Sequence, residues 1–203
     1  MIHTLYMSVR SPFARRVRLT LEELGVEYET QVLDVFNPPP GFTEVNPLGR
    51  VPALRLPNTE LIVDSWMILD YLRERHGSHP LFLTGGASGA QARNISGLAV
   101  GVMEQAVAVA IESMRPTVAY PPARAEYVES ARRGLALLDS LRGFDSSFML
   151  DDQLRLCDID VGVALAYCEL RLGRDFIEPY PALRAHLALA NQRESFRKTA
   201  PPA

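Results

Sequence analysis

A chain of 203 residues is long enough to bury one large core or two small ones, and 47% hydrophobic with 22% charged residues is the composition of an ordinary soluble globular protein. A net charge of −3 excludes the global basic field that nucleic acid or an anionic membrane would attract. Cys157 and Cys168 lie eleven positions apart with no CxxC, so neither a disulfide scaffold nor a dithiol redox site is indicated.

The opening "MIHTLYMSVR" lacks the charged-then-apolar build of a signal peptide, and the expected compartment is the cytoplasm. Lys198 is the only lysine among 21 basic residues, a bias read as genomic base composition and pointing to a bacterial source. Ile2 to Met7 predicts a buried strand. "SPFARRVRLTLEELG" predicts a helix, with Pro12 near its start, Gly25 at its end, and Phe13, Val17, Leu21 and Leu24 at helical spacing. Tyr28 to Val35 reads as a second strand and "FNPPPG" as a loop. Val51 to Leu56 and Leu61 to Val63 flank a "PNTE" turn and are expected to pair as a hairpin. "DSWMILDYLRERHG" predicts a helix from Asp64 or Ser65 to Gly77. His76 and His79 fall in a Gly- and Pro-marked linker without further ligands, so no metal site is expected.

Beyond "GSHPLFLTGGASG" no strand is predicted. Gln91 to Val118 reads as a long helix, bent or ended near Pro116. Its most apolar part, Gly97 to Ile111, is interrupted by Glu104 and Gln105 and is too short and polar to span a bilayer. Pro122 to Arg142 predicts another helix, and Ile159 to Leu172, apolar nearly all round, a buried one. Two short helices are expected around Pro181 to Leu189 and Arg193 to Lys198. The domains are therefore drawn as 1–77, α/β, then a linker 78–88, then an all-helical 89–203.

Pro52 stands at the front of a strand, where its missing N–H gives nothing to a ladder. One reading is an edge strand. The other is a cis Val51–Pro52 bond, which turns the chain and lets the Val51 N–H and C=O face an extended, peptide-like ligand. Asp64 and Ser65 either cap the next helix or receive the ammonium and carboxylate of an α-amino acid, helped by the free N–H groups of the helix start. Ser11, before Pro12, either caps the first helix or donates its O–H to a ligand's sulfur. A thiol with an ordinary pKa of about 8.5 would be stabilised there as thiolate.

"SPFARRVRLTLEELG", "NPLGRVPAL" and "DSWMILDYL", followed by a helical half, resemble the cytosolic glutathione S-transferase superfamily over essentially the whole chain. The resemblance implies a thioredoxin-like domain followed by an all-helical domain, with glutathione as co-substrate, no metal, a small electrophile as second substrate, and a homodimer active in detoxification. It puts Ser11 at the position that activates the sulfur in serine-type members, with Ser8 as an alternative. Val51 and Pro52 match the segment that pairs with the cysteinyl part, and Asp64 and Ser65 the pair that holds the γ-glutamyl end. Arg50 stands where it can meet a carboxylate. The glycyl carboxylate is expected to be met from "FNPPPGF", with no residue assigned. Without a cysteine in the first half, thiol–disulfide exchange is not expected.

The electrophile pocket is assigned to Ile111 and Met114, while Met7, Val107 and Tyr120 serve equally well as core. Members usually open the buried helix with a hydroxyl three residues before an aspartate. Here Arg155 replaces the hydroxyl, so the full reciprocal box is not expected, although Asp158 can still accept backbone N–H groups. Val100 and Gln105 stand where the resemblance leads to acids. Two other functions compete with transfer: a non-catalytic interaction module on the same fold, and glutathione-dependent isomerisation or peroxide reduction.

Overall fold

The computed structural model describes residues 2–114, 121–142 and 146–202. Two compact units form, one from Met1–Phe82 together with Glu194–Ala203, the other from Leu83–Arg193. The boundary thus falls at Phe82, inside the stretch expected to be a linker, because Leu81 and Phe82 are buried rather than solvated. The last ten residues, expected in the helical domain, belong to the first unit.

That unit runs β1 (His3–Met7), α1 (Pro12–Leu24), β2 (Tyr28–Val32), α2 (Phe42–Val45), β3 (Ala53–Arg55), β4 (Leu61–Val63) and α3 (Ser65–His76), and closes with α8 (Glu194–Lys198). The sheet order is β2-β1-β3-β4, with β1 parallel to β2 and antiparallel to β3, and β4 antiparallel to β3. This is the thioredoxin-like arrangement. Ser11 caps α1 by accepting the Ala14 N–H at 3.2 Å, and Pro12 follows at a position where no N–H is missed. Gly25 ends the helix at φ +65°. Its N–H reaches the Glu22 carbonyl and that of Val26 the Leu21 carbonyl, the paired bonds of a Schellman turn.

β2 is shorter than the Tyr28–Val35 expected, since after Val32 only the Leu33 N–H still reaches β1, at the Met7 carbonyl. The short α2 carries too few residues for a periodic pattern. It delivers Phe42 to a cluster with Tyr6, Leu33 and Ala53, against which Val45, Val51 and Leu61 pack.

The second unit comprises α4 (Gly86–Met114), α5 (Pro121–Leu141), α6 (Leu156–Leu172), a short 3-10 turn (Arg174–Phe176) and α7 (Pro181–Ala190). Pro116, Val118 and Tyr120 lie outside the described residues. α4 starts five residues earlier than expected, and with 29 residues it is long and apolar enough to cross a bilayer. That corrects the length expected from Gly97 to Ile111 alone. Half of its most apolar window is nevertheless buried in the protein, where α4 packs on α5 and α6. A Cβ added at Gly134 on α5 would come within 2.7 Å of Val102 Cγ2 on α4, so the glycine permits their close approach. α7 is tied to α5 by Asp139, which accepts the Leu183 N–H at 2.9 Å, and by the Tyr180 hydroxyl, which donates to the Arg132 carbonyl.

Candidate functional site

The register of the sheet gathers the predicted residues. Tyr6 pairs with Ala53, and Ala53 with Val63, so one row crosses β1, β3 and β4. Beyond that row, at the same end of the sheet, β1 runs on to Ser8 and Ser11. β3 is entered there through Val51 and Pro52, and β4 exits into Asp64 and Ser65. Residues separated by up to fifty-seven positions in sequence are thereby brought to one end of three adjacent strands.

The Val51–Pro52 peptide is cis. Pro52 is buried, and the Val51 side chain packs on the Tyr6–Phe42 cluster while its backbone precedes the first ladder residue, Ala53. Asp64 adopts φ +75°, a left-handed conformation that side chains other than glycine rarely hold and that costs about 1–3 kcal/mol. Its carboxylate accepts the Trp66 N–H at 2.7 Å, and Ser65 behind it is buried. Ser11 uses its oxygen to accept the Ala14 N–H, which leaves its O–H proton free to be donated over the start of α1. The Ser8 carbonyl accepts the Ser11 N–H at 3.0 Å, fixing the turn between β1 and α1.

The capping reading of Ser11 and Asp64 is therefore realised, and it is compatible with the ligand reading, because each side chain keeps hydrogen-bonding capacity. Arg50 is exposed, and its carbonyl accepts from Asn46. Ile111 and Met114, three residues apart on α4, belong to the second unit and are 41% and 50% exposed. Cys157 and Cys168 are buried in α6, and burial pushes both thiols up, that of Cys168 to about 12, so neither supplies a thiolate.

Two residues at this end of the sheet were not anticipated. Asn46, 3% exposed, donates from Nδ2 to the Arg50 carbonyl at 2.7 Å and accepts the Leu48 N–H at Oδ1. It thereby folds the turn that leads into Val51; "NPLG" carries the Asn, Pro and Gly signature of such a turn. Arg16 donates from Nη1 to the Ser65 hydroxyl at 3.2 Å, and its signal in the sequence was an arginine on the face that Phe13 and Thr20 share.

Residues 10–75 match the family model described as "Glutathione S-transferase, N-terminal domain". A glutathione S-transferase from Methylobacillus flagellatus KT, solved with GSH bound, is 31% identical, with 98% of this chain and 100% of that one covered at a TM-score of 0.91. The chain belongs to the glutathione S-transferase superfamily. Its enzyme class is that of the glutathione transferases. Among curated relatives, this transferase is 27% identical to the uncharacterized GST-like protein YibF of Escherichia coli strain K12, over 96% of each chain. It is 26% identical to a maleylacetoacetate isomerase of Pseudomonas aeruginosa, over 97% of this chain and 95% of that protein.

Proposed function

We propose that this transferase binds glutathione at the shared end of β1, β3 and β4 and presents its thiolate to a small electrophile. The observation that carries the reading is the register itself, by which Ser11, Val51–Pro52 and Asp64–Ser65 converge from three strand ends. In this reading glutathione lies extended along Val51, its cysteinyl amide paired with the Val51 backbone. Asp64 takes the ammonium of the γ-glutamyl end, while Ser65 and the α3 N–H groups take its carboxylate. Arg50 is offered as a contact to a carboxylate.

The sulfur then rests at the start of α1, where the Ser11 proton and the helix dipole favour the thiolate over the thiol. Attack on the electrophile follows from proximity to a sulfur that is already charged. Ile111 and Met114 are proposed apolar contacts for that substrate, on the strength of the family resemblance and their exposure. A homodimer, a cytoplasmic location and a role in detoxification belong to the same proposal.

Glutathione-dependent isomerisation is the second reading, favoured by the likeness to a maleylacetoacetate isomerase. Profiling aryl halides against cis-enone acids separates the two. Retention on immobilised glutathione tests the binding shared by both readings; passage through the column unretained, with no conjugation, would favour the interaction-module alternative. For the mechanism the test is Ser11→Ala. The pH at which bound glutathione ionises, followed by thiolate absorbance, is expected to rise with only a modest change in affinity. An unchanged titration would move the role to Ser8 or to backbone N–H groups.

A further inference from the structure

Arg16 is fully buried in the middle of α1, although an arginine carries a permanent charge that is costly to remove from water. Its guanidinium lies over the Trp66 ring, 4.4 Å from the centroid, and its Nη1 donates to the Ser65 oxygen. A guanidinium has donors only, whereas a hydroxyl has one proton and two lone pairs. Ser65 must therefore be the acceptor in this bond, and its own proton is left for another group. Among the described residues no protein acceptor takes that proton, yet only 4% of Ser65 is exposed. Buried polar hydrogens are as a rule bonded, so this donor at the start of α3 calls for an acceptor from outside the protein.

We infer that Arg16 is a positioning residue: by occupying one of the two Ser65 lone pairs it biases the Ser65 proton toward the ligand, and so makes the start of α3 selective for the γ-glutamyl carboxylate. The inference rests on the glutathione reading above. It explains the residue type. The Arg16 guanidinium sits over the Trp66 ring while its Nη1 donates to Ser65, a combination that suits the planar, several-donor head of arginine better than the compact ammonium of lysine. One hydroxyl removed from the carboxylate, the buried cation also strengthens the Ser65 bond by polarising it.

The test is calorimetric titration of the full chain with glutathione and with cysteinylglycine, which lacks the γ-glutamyl group. Ser65→Ala is expected to weaken glutathione about 10-fold, the worth of one charge-assisted hydrogen bond, and to leave cysteinylglycine unchanged. Arg16→Lys is expected to follow the same pattern, and the double variant to bind no more weakly than Ser65→Ala alone, because on this inference Arg16 reaches the ligand only through the Ser65 hydroxyl. Losses that multiply, or that fall equally on the two ligands, would give Arg16 a purely structural role and overturn the inference. Should Arg16→Lys not fold, Trp66→Leu, at a half-exposed position, removes the platform of the guanidinium and faces the same two outcomes. A native chain that does not bind glutathione would overturn the glutathione reading and this inference with it, and the native titration alone reports that.

Discussion

Single side chains at the end of the sheet serve the fold and the proposed ligand at once. Ser11 caps α1 with its lone pair and keeps its proton, and Asp64 caps α3 while holding a strained backbone. Asn46 bonds both ends of its amide across one turn, so its removal should be felt in two measurements. Asn46→Ala leaves the Arg50 carbonyl and the Leu48 N–H to water and is expected to cost about 1 kcal/mol, or roughly 2–4 °C in melting temperature. Because the turn leads directly into Val51, glutathione affinity should fall several-fold as well. A lowered melting temperature with unchanged affinity would show that the turn does not position Val51.

At the scale of elements, the start of α6 departs from the pattern the resemblance implies. Arg155 has no acceptor and cannot form the hydroxyl's half of a reciprocal box. It pairs instead with Asp151, at 2.6 Å, one turn earlier in the chain. The aspartate half forms as expected: Asp158 accepts the Arg155 N–H at 2.7 Å and the Met149 N–H at 2.8 Å. Burial pushes the Asp158 carboxyl up to about 7, against the two N–H donors that hold it down. Burial likewise holds the neighbouring His186 down to about 4, and the Asp158 carbonyl accepts from its Nε2 at 3.0 Å.

The signs of these two shifts are opposed. An unfolded aspartate titrates near 3.9, so between about pH 4 and 7 the folded chain retains a proton the unfolded chain has lost, and Asp158 makes stability fall as pH rises. His186 is neutral when folded and protonated when unfolded between about pH 4 and 6.5, so its contribution rises with pH in that window. The two therefore offset each other in the native protein. In Asp158→Asn only the histidine slope remains. Denaturant unfolding should find the variant's deficit relative to the native chain narrowing by more than about 1 kcal/mol between pH 5 and pH 7.5. A constant deficit would mean that the carboxylate stays ionised throughout.

For the whole molecule, the decisive feature is that the chain returns to its first unit. Phe196 and Thr199 are buried against α1; the Phe196 carbonyl accepts from Arg15 Nη2 at 3.2 Å, and the Ser195 hydroxyl bonds Glu23. Burial, with Arg18 nearby, lowers the Arg15 pKa to about 10. Phe196→Ala is expected to cost about 3–5 kcal/mol. The damage should be local to the unit it seals: hydrogen exchange in α1 should accelerate while α4 and α6 keep their protection. Equal loss of protection in α4 and α6 would assign the tail to the second unit instead.

Local chemistry carried much of this into the sequence. Pro12 and Gly25 bound α1, alternation and turn residues mark the β3–β4 hairpin, and the all-apolar run of α6 declares a buried helix, because each signal acts over a few residues along the chain. Ser11, Val51–Pro52 and Asp64–Ser65 were legible as separate options for the same reason. What tertiary structure alone decided is their convergence, since the pairing of Tyr6 with Ala53 and of Ala53 with Val63 is a long-range choice. Tertiary structure also decided that Arg16 turns inward to Ser65 and that the tail rejoins α1. Both depend on which apolar surface remains uncovered once the other elements have packed, and no local pattern encodes that.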